Sequence, residues 1–207
     1  MKSRFYKVFL FLFGWLFRLV LRVKAKGKEN EPKREAGPYL VCANHQTALD
    51  PFFICTTMKR QQPHFMAKAE IFRVPVIGFL VRKLGAYPVT RTGNDVGAVK
   101  HTIKLLESGR SVAMFPQGTR CPGKALRDCR VKSGAGLIVA KTGVQVLPVY
   151  IGMKDQKWRF LRRVRVVIGE PIPFEKFGYD KEAPGEYARI SAEIYEEICR
   201  LGESAGK

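Results

Sequence analysis

Acidic residues are scarce in this sequence. Asp and Glu number 18 against 37 Lys and Arg, which gives a formal net charge of +19 over 207 residues. This shortage argues against cationic partners and indicates anionic ones: phosphate head groups, anionic lipid, an acidic carrier protein or nucleic acid. The charge alone does not choose among them.

Cysteines are few and show no C-x-x-C spacing. The five are odd in number: Cys42, Cys55, Cys121, Cys129 and Cys199. This pattern excludes a disulfide framework and indicates a reduced chain that faces the cytosol. Cys121 and Cys129 flank a basic loop without a nearby histidine, so we expect no metal there. We expect Cys42, inside an apolar run, to pack rather than react.

The apolar run near the N-terminus is too short to cross a membrane comfortably. It extends without interruption only from Val8 to Phe17, whereas a spanning helix needs about 20 residues. Residues 5–23 are rich in Phe and Leu and are flanked by cations, which favours a helix lying in the membrane interface. A secretory signal or a soluble core helix would also fit. We predict a membrane-associating segment over residues 1–24 and one globular domain over residues 25–207.

Strand and helix patterns alternate along this domain. Short, bounded apolar runs predict strands over residues 39–43, 87–89, 111–115, 144–151 and 164–168. Apolar stripes at helical spacing predict helices over residues 96–106, 131–142 and 186–201. We therefore predict an α/β fold, a single domain with a mixed, largely parallel central sheet flanked by helices. Residues 71–84 alternate apolar and basic groups, which fits either a buried helix or a second membrane-facing surface.

A histidine and an aspartate lie in the turn after the strand at residues 39–43. His45 and Asp50 are five residues apart, which on an ideal helix would point their side chains about 140° away from each other. Asp50-Pro51 predicts a helix start, so the chain can turn between the two. The carboxylate would then fix the imidazole tautomer and leave one nitrogen free to take a proton from a hydroxyl. A polar turn residue and a helix cap are the alternative interpretation.

Four blocks of sequence, in order, resemble the motifs of the glycerolipid acyltransferases, the lysophosphatidic acid acyltransferase family. H-x4-D after an asparagine resembles the first motif, GAYPVTR at residues 85–91 the second, FPQGTR at residues 115–120 the third and LPVY at residues 147–150 the fourth. The resemblance extends from about residue 25 to about residue 175. It departs from the family at Gln117, where glutamate is usual, and at Thr47, where serine is common.

The resemblance implies a 1-acylglycerol-3-phosphate O-acyltransferase. Such an enzyme moves a fatty acyl group from an acyl carrier protein or coenzyme A thioester to 1-acylglycerol 3-phosphate, giving phosphatidic acid for phospholipid biosynthesis. It implies His45 as general base, oriented by Asp50, with no metal and no cofactor besides the thioester co-substrate. Another lysolipid acceptor remains an alternative, and a non-enzymatic basic protein that binds membranes or nucleic acid is a more distant one.

The resemblance also implies the substrate-binding residues. Arg91 and Arg120 end the second and third motifs, where their planar guanidinium groups would bind the acceptor phosphate. Lys68, in a segment similar to one in the family, would lie near that phosphate or be solvated. The other predicted binding residues are Gln117, Gly118 and Thr119. We expect an anionic membrane surface as a partner, no nucleic acid, and a peripheral location at the cytoplasmic face of the membrane.

Overall fold

The computed structural model describes residues 3–20, 22–89, 96–159 and 162–206. Seven strands are present in these ranges: β1 (Val23–Lys26), β2 (Tyr39–Ala43), β3 (His64–Lys68), β4 (Ala86–Val89), β5 (Val112–Met114), β6 (Gln145–Gly152) and β7 (Val164–Ile168). Six α-helices accompany them: α1 (Arg4–Val20), α2 (Asp50–Thr57), α3 (Pro75–Lys83), α4 (Val96–Glu107), α5 (Gly134–Thr142) and α6 (Glu186–Gly206).

The strands form one sheet with the order β1-β7-β6-β2-β5-β3-β4. Neighbouring strands are parallel except for β6 and β7, which are antiparallel. The sheet is therefore mixed and largely parallel, as predicted. Because β2 to β6 run in one direction, their carboxyl ends meet at a single edge of the sheet, which we call the carboxyl edge. The reversed strands β7 and β1 begin at this same edge.

Helices cover both faces of the sheet. Helices α1, α2 and α3 pack on one apolar core, and helices α4, α5 and α6 pack on the other. The central strand β2 lies between the two cores and all five of its residues are buried. Burial on both faces explains why this strand is apolar throughout, rather than alternating, in the sequence.

Three elements differ from the sequence-based expectation. The sequence pattern did not predict β3, because only Phe65 within it is buried and its pairing partners, β4 and β5, are distant in sequence. Helix α5 begins at Gly134 rather than at residue 131, since the Lys132 N–H donates to the Pro116 carbonyl instead of entering the helix. The predicted boundary at residue 24 falls within β1, which belongs to the same sheet as the other strands.

The small residues of α5 allow close packing, and helix α6 is the element that comes closest. A Cβ added to Gly136 would lie 2.1 Å from the Tyr187 carbonyl oxygen. The Gly136 N–H also donates to Ser191 Oγ at 2.8 Å. Contact this close between the two helix backbones requires glycine, so α5 and α6 pack directly against each other on the sheet.

Helix α1 is buried on one side and exposed on the other. Tyr6 is fully buried, and its hydroxyl donates to the Cys55 carbonyl at 3.3 Å. The opposite side exposes a row of large apolar residues at helical spacing: Val8, Phe11, Leu12 and Leu19. Among the described helices, none has the length and apolar character needed to cross a membrane.

Candidate active site

His45 and Asp50 form a buried pair at the carboxyl edge. His45 lies two residues after the end of β2, and Asp50 is the first residue of α2. The imidazole Nδ1 lies 2.7 Å from Asp50 Oδ2. Asp50 is fully buried and His45 is 8% exposed. The contact predicted from the H-x4-D spacing is therefore present.

The Asp50 carboxylate is held by the turn that precedes it. Oδ2 accepts hydrogen bonds from the backbone N–H groups of Gln46 at 2.6 Å and Thr47 at 2.9 Å. The N-cap of α2 is Leu49, which makes no side-chain capping bond. The alternative interpretation of Asp50 as a helix cap therefore does not describe its hydrogen bonds. Two backbone donors and the imidazole stabilise this carboxylate in its buried position.

The His45 ring is fixed in orientation and open on one side. Phe115 stacks on it, with ring centroids 4.0 Å apart and planes 9° from parallel. Because Nδ1 faces a carboxylate, we assign the proton to Nδ1, which leaves a lone pair on Nε2. Within the described residues Nε2 has no hydrogen-bond partner. This nitrogen can therefore accept a proton from a substrate hydroxyl.

The loop after β5 holds the backbone of His45. Gln117 Oε1 accepts the His45 N–H at 2.6 Å, and the His45 carbonyl accepts the Cys121 N–H at 2.9 Å. Gln117 makes its bond to His45 through an oxygen, which a glutamate side chain would also provide. The departure from the family pattern at this position therefore preserves the hydrogen bond to His45.

Asn44 attaches the site to the next strand. Its Nδ2 donates to the Ile151 carbonyl at 2.9 Å, and its Oδ1 accepts the Ile151 N–H at 2.7 Å. The side chain thus continues the β2–β6 ladder beyond the end of β2. The sequence signal for this role is an amide residue directly between a buried strand and the histidine, and the role was not predicted for Asn44.

Comparison with known proteins shows the family of this chain. The family model described as Acyltransferase matches residues 22–152, more than half of the chain. The chain belongs to the acyltransferase family. Its H-x4-D pair and the loop after β5 both lie inside the matched region.

Individual relatives are similar over different shares of their length. The chain is 36% identical over 137 residues to a 1-acyl-sn-glycerol-3-phosphate acyltransferase of Streptococcus pneumoniae. This match covers 65% of this chain and 50% of that protein. It is 31% identical over 159 residues to the enzyme of the same name from Bacillus subtilis. This match covers 76% of this chain and 77% of that protein. The chain therefore spans about half of the first relative and about three quarters of the second.

A solved structure has the same fold. The crystal structure of the 1-acyl-sn-glycerophosphate acyltransferase PlsC from Thermotoga maritima superposes with a TM-score of 0.71 at 28% identity. The superposition covers 98% of this chain and 79% of that protein. The acyltransferase fold therefore extends over nearly the whole chain, including the segment before residue 25.

The predicted binding residues fall at different distances from His45. Gly118, Thr119 and Arg120 form an exposed turn that leads directly into Cys121, whose N–H bonds to His45. Lys68 is exposed at the end of β3, which is two strands from β2, or about 10 Å away laterally. Arg91, predicted to bind the acceptor phosphate, lies outside the described residues.

Lys132 is a cation near the third motif that the sequence analysis missed. Gly118 has φ of 68°, and a Cβ there would lie 2.8 Å from Lys132 Cδ, so the lysine side chain passes directly over the glycine. The Gly118 N–H donates to the Phe115 carbonyl at 2.9 Å, which makes it unavailable as an oxyanion donor. The signal for Lys132 was a basic residue placed just before the small-residue helix α5.

The cysteines near the site are unsuited to nucleophilic chemistry. Cys42 is fully buried in β2, and this burial raises the pKa of its thiol far above the usual range. Burial also raises the pKa of the Cys121 thiol, with the neighbouring Cys129 adding to the effect. Both thiols stay protonated at neutral pH, so neither cysteine is suited to act as a nucleophile.

Proposed function

We propose that this chain is a 1-acylglycerol-3-phosphate O-acyltransferase. The observation that carries the proposal is the His45–Asp50 pair, whose Nε2 is unbonded within the described structure, at the carboxyl edge of the sheet. The names of the relatives from S. pneumoniae and B. subtilis support the acceptor, 1-acylglycerol 3-phosphate. The product would be phosphatidic acid, and the acyl donor a thioester of coenzyme A or of acyl carrier protein.

The proposed reaction needs only one proton carrier. The acceptor hydroxyl attacks the thioester carbonyl carbon while His45 Nε2 takes the hydroxyl proton. The Asp50 carboxylate stabilises the imidazolium that forms. When the tetrahedral intermediate collapses, the carbon–sulfur bond breaks and the imidazolium returns its proton to the leaving sulfur. The products are an ester and a free thiol, and His45 is neutral again.

The acceptor phosphate would bind beside the third-motif turn. Arg120 and Lys132 both lie at this turn, and Arg120 is one residue from Cys121, which contacts His45. A guanidinium group binds two phosphate oxygens at once, and a nearby ammonium adds a point charge. Lys68 ends β3, the direct neighbour of β5 on the same edge, and its flexible side chain could reach a phosphate at this position.

The enzyme would act as a peripheral protein on the cytoplasmic face of the membrane. Helices α1 and α3 lie on the same side of the sheet, and Phe5 of α1 contacts Phe79 of α3 with ring centroids 6.2 Å apart. Helix α3 exposes 78% of Val76 and 56% of Phe79, while α1 exposes 81% of Phe11. Together they make a continuous apolar surface bordered by cations such as Lys83, which suits an anionic bilayer. The five free cysteines are consistent with the cytosol-facing side.

The main test is acyl transfer by a His45→Ala variant. We expect the rate to fall by at least about 100-fold because the base that activates the hydroxyl is lost. The measurement is transfer of a labelled palmitoyl group to 1-acylglycerol 3-phosphate, alongside a thermal unfolding curve. His101→Ala, which removes an exposed histidine on α4, is the matched control and should remain active. A His45→Ala enzyme that is folded and near wild type in rate would refute the proposal.

Phosphate recognition is tested by Arg120→Ala. Its KM for 1-acylglycerol 3-phosphate should rise by about tenfold or more, while its KM for the acyl donor stays nearly constant, because only the acceptor carries this phosphate. Arg130→Ala, which removes another exposed arginine farther along the same loop, serves as control. An equal rise in both KM values, or equal rates with lysolipids that lack a phosphate monoester, would favour a different acceptor.

Membrane association is tested by Val76→Asp on α3. A charge on this apolar surface should lower binding to phosphatidylglycerol-containing vesicles by about tenfold, because the bilayer loses its contact with one valine and must accommodate a charge. Val96→Asp makes the same change on α4, at a valine that is 55% exposed on the opposite side of the sheet, and should have no effect. Vesicle flotation measures both. Equal binding by Val76→Asp and wild type would show that α3 does not meet the bilayer.

A further inference from the structure

A strongly basic surface lies at the edge of the sheet formed by β1 and β7. It borders a cavity of about 590 Å³. Six cations line the cavity within the described residues: Lys24, Lys26, Lys154, Arg162, Arg163 and Arg165. We call these six residues the basic surface. The remaining lining residues are Gly152, Met153, Val166, Val167 and Ala205, so no carboxylate is among them.

The described residues supply no carboxylate that balances these cations. Lys24 and Arg165 are directly paired in register on neighbouring strands, where like charges repel. None of the six forms an ion pair with a carboxylate in the part of the chain that the structure describes. By contrast, the arginines along α6 pair with glutamates, as Arg189 does with Glu193 at 2.6 Å. A cluster of like charges without a carboxylate partner among the described residues indicates an anionic ligand.

The basic surface adjoins the active site. Lys154 follows β6, Arg163 precedes β7 and Lys24 lies at the start of β1, so all three are at the carboxyl edge. Oriented to donate, the side-chain amide nitrogen of Gln46 lies 2.5 Å from the Cys121 carbonyl oxygen and 3.3 Å from the Gln156 carbonyl oxygen. The segment after Lys154 thus contacts the residue that follows His45. From the strand order, the surface is two to three strand spacings from His45, or about 10–15 Å.

The basic surface faces away from the proposed membrane side. Val23 and Ala25 of β1 pack against the core beneath α1, α2 and α3. Because side chains alternate along a strand, Lys24 and Lys26 project from the opposite face, on the side of α6. Arg165 is on that face too, where it donates to the Ala205 carbonyl near the end of α6. With the apolar surface of α1 and α3 on a bilayer, these cations would stay in water.

The lining also favours a protein over a nucleotide. All six cations are exposed on long side chains, and the lining described above contains no aromatic ring on which a base could stack. Such a spread of exposed cations suits the acidic surface of another protein. We propose that the basic surface docks an acidic acyl carrier protein that delivers the thioester to His45. The inference rests on the proposed acyl transfer and assigns its donor partner.

The test is a charge reversal confined to β1. Lys24→Glu/Lys26→Glu should raise the KM for palmitoyl carrier protein by about tenfold, because two attractive charges become repulsive. The kcat/KM for palmitoyl coenzyme A should change by less than about threefold, since His45 is untouched. In the wild type, raising NaCl from about 50 to about 200 mM should increase the carrier-protein KM more strongly than the coenzyme A KM. Both donors are assayed with 1-acylglycerol 3-phosphate as acceptor.

The matched control reverses two exposed lysines on α4, at the other end of the sheet. Lys100→Glu/Lys104→Glu changes the net charge equally and should leave both donors unaffected. Binding of the unacylated carrier protein, measured by calorimetry, should weaken only in the β1 variant. Retained turnover with palmitoyl coenzyme A shows that the β1 variant is folded.

Three results would overturn the inference. The first is that the β1 variant has the same carrier-protein kinetics and binding as the wild type, or that the α4 variant changes them by the same amount. The second is a wild type that uses coenzyme A but neither binds nor uses the carrier protein. The third is a β1 variant that loses vesicle binding alone, which would assign the surface to lipid. Failure of the proposed function gives a different result, because the wild type then transfers acyl groups from neither donor. Calorimetry with the carrier protein would still test the docking surface in that case.

Discussion

The hydrogen bond between His45 and Asp50 is the interaction on which the site depends. A carboxylate with no solvent exposure is stable only when donors surround it, and here two backbone N–H groups and an imidazole converge on a single oxygen. The same three bonds shape the turn between β2 and α2 and fix the direction of the ring. One buried acid thus holds the turn and would also orient the proposed base. Removing Asp50 would disturb the turn as well as the orientation of the His45 ring.

The mixed sheet explains why the surrounding parts are where they are. Parallel strands deliver their following loops to one edge, so the turn after β2, the loop after β5 and the segment after β6 meet around His45. The single antiparallel step between β6 and β7 then brings the starts of β7 and β1 to that edge as well. This reversal places the cations of β1 and β7 beside the site, although they come from opposite ends of the sequence.

The sequence predicted the elements that carry local signals. Buried runs such as residues 39–43, the Asp50-Pro51 helix start and the H-x4-D spacing each depend on neighbouring residues, and the structure agrees with all three. Contacts between distant segments were not predictable in this way. The Phe115 stacking on His45, the passage of Lys132 over Gly118 and the parallel pairing of β3 all require knowing which segments meet. Arg91 lies outside the described residues, so its role remains a prediction.

The position of the proton on His45 tests the central claim most directly. The measurement is an NMR spectrum of the protein labelled with ¹⁵N-histidine. The chain contains three histidines, and the ring nitrogen signals that are absent from a His45 variant belong to His45. The account predicts that the neutral ring carries its proton on Nδ1, against Asp50, and that Nε2 shows the shift of an unprotonated nitrogen. A neutral ring protonated at Nε2 would contradict it, because that nitrogen could not then accept a proton from a hydroxyl.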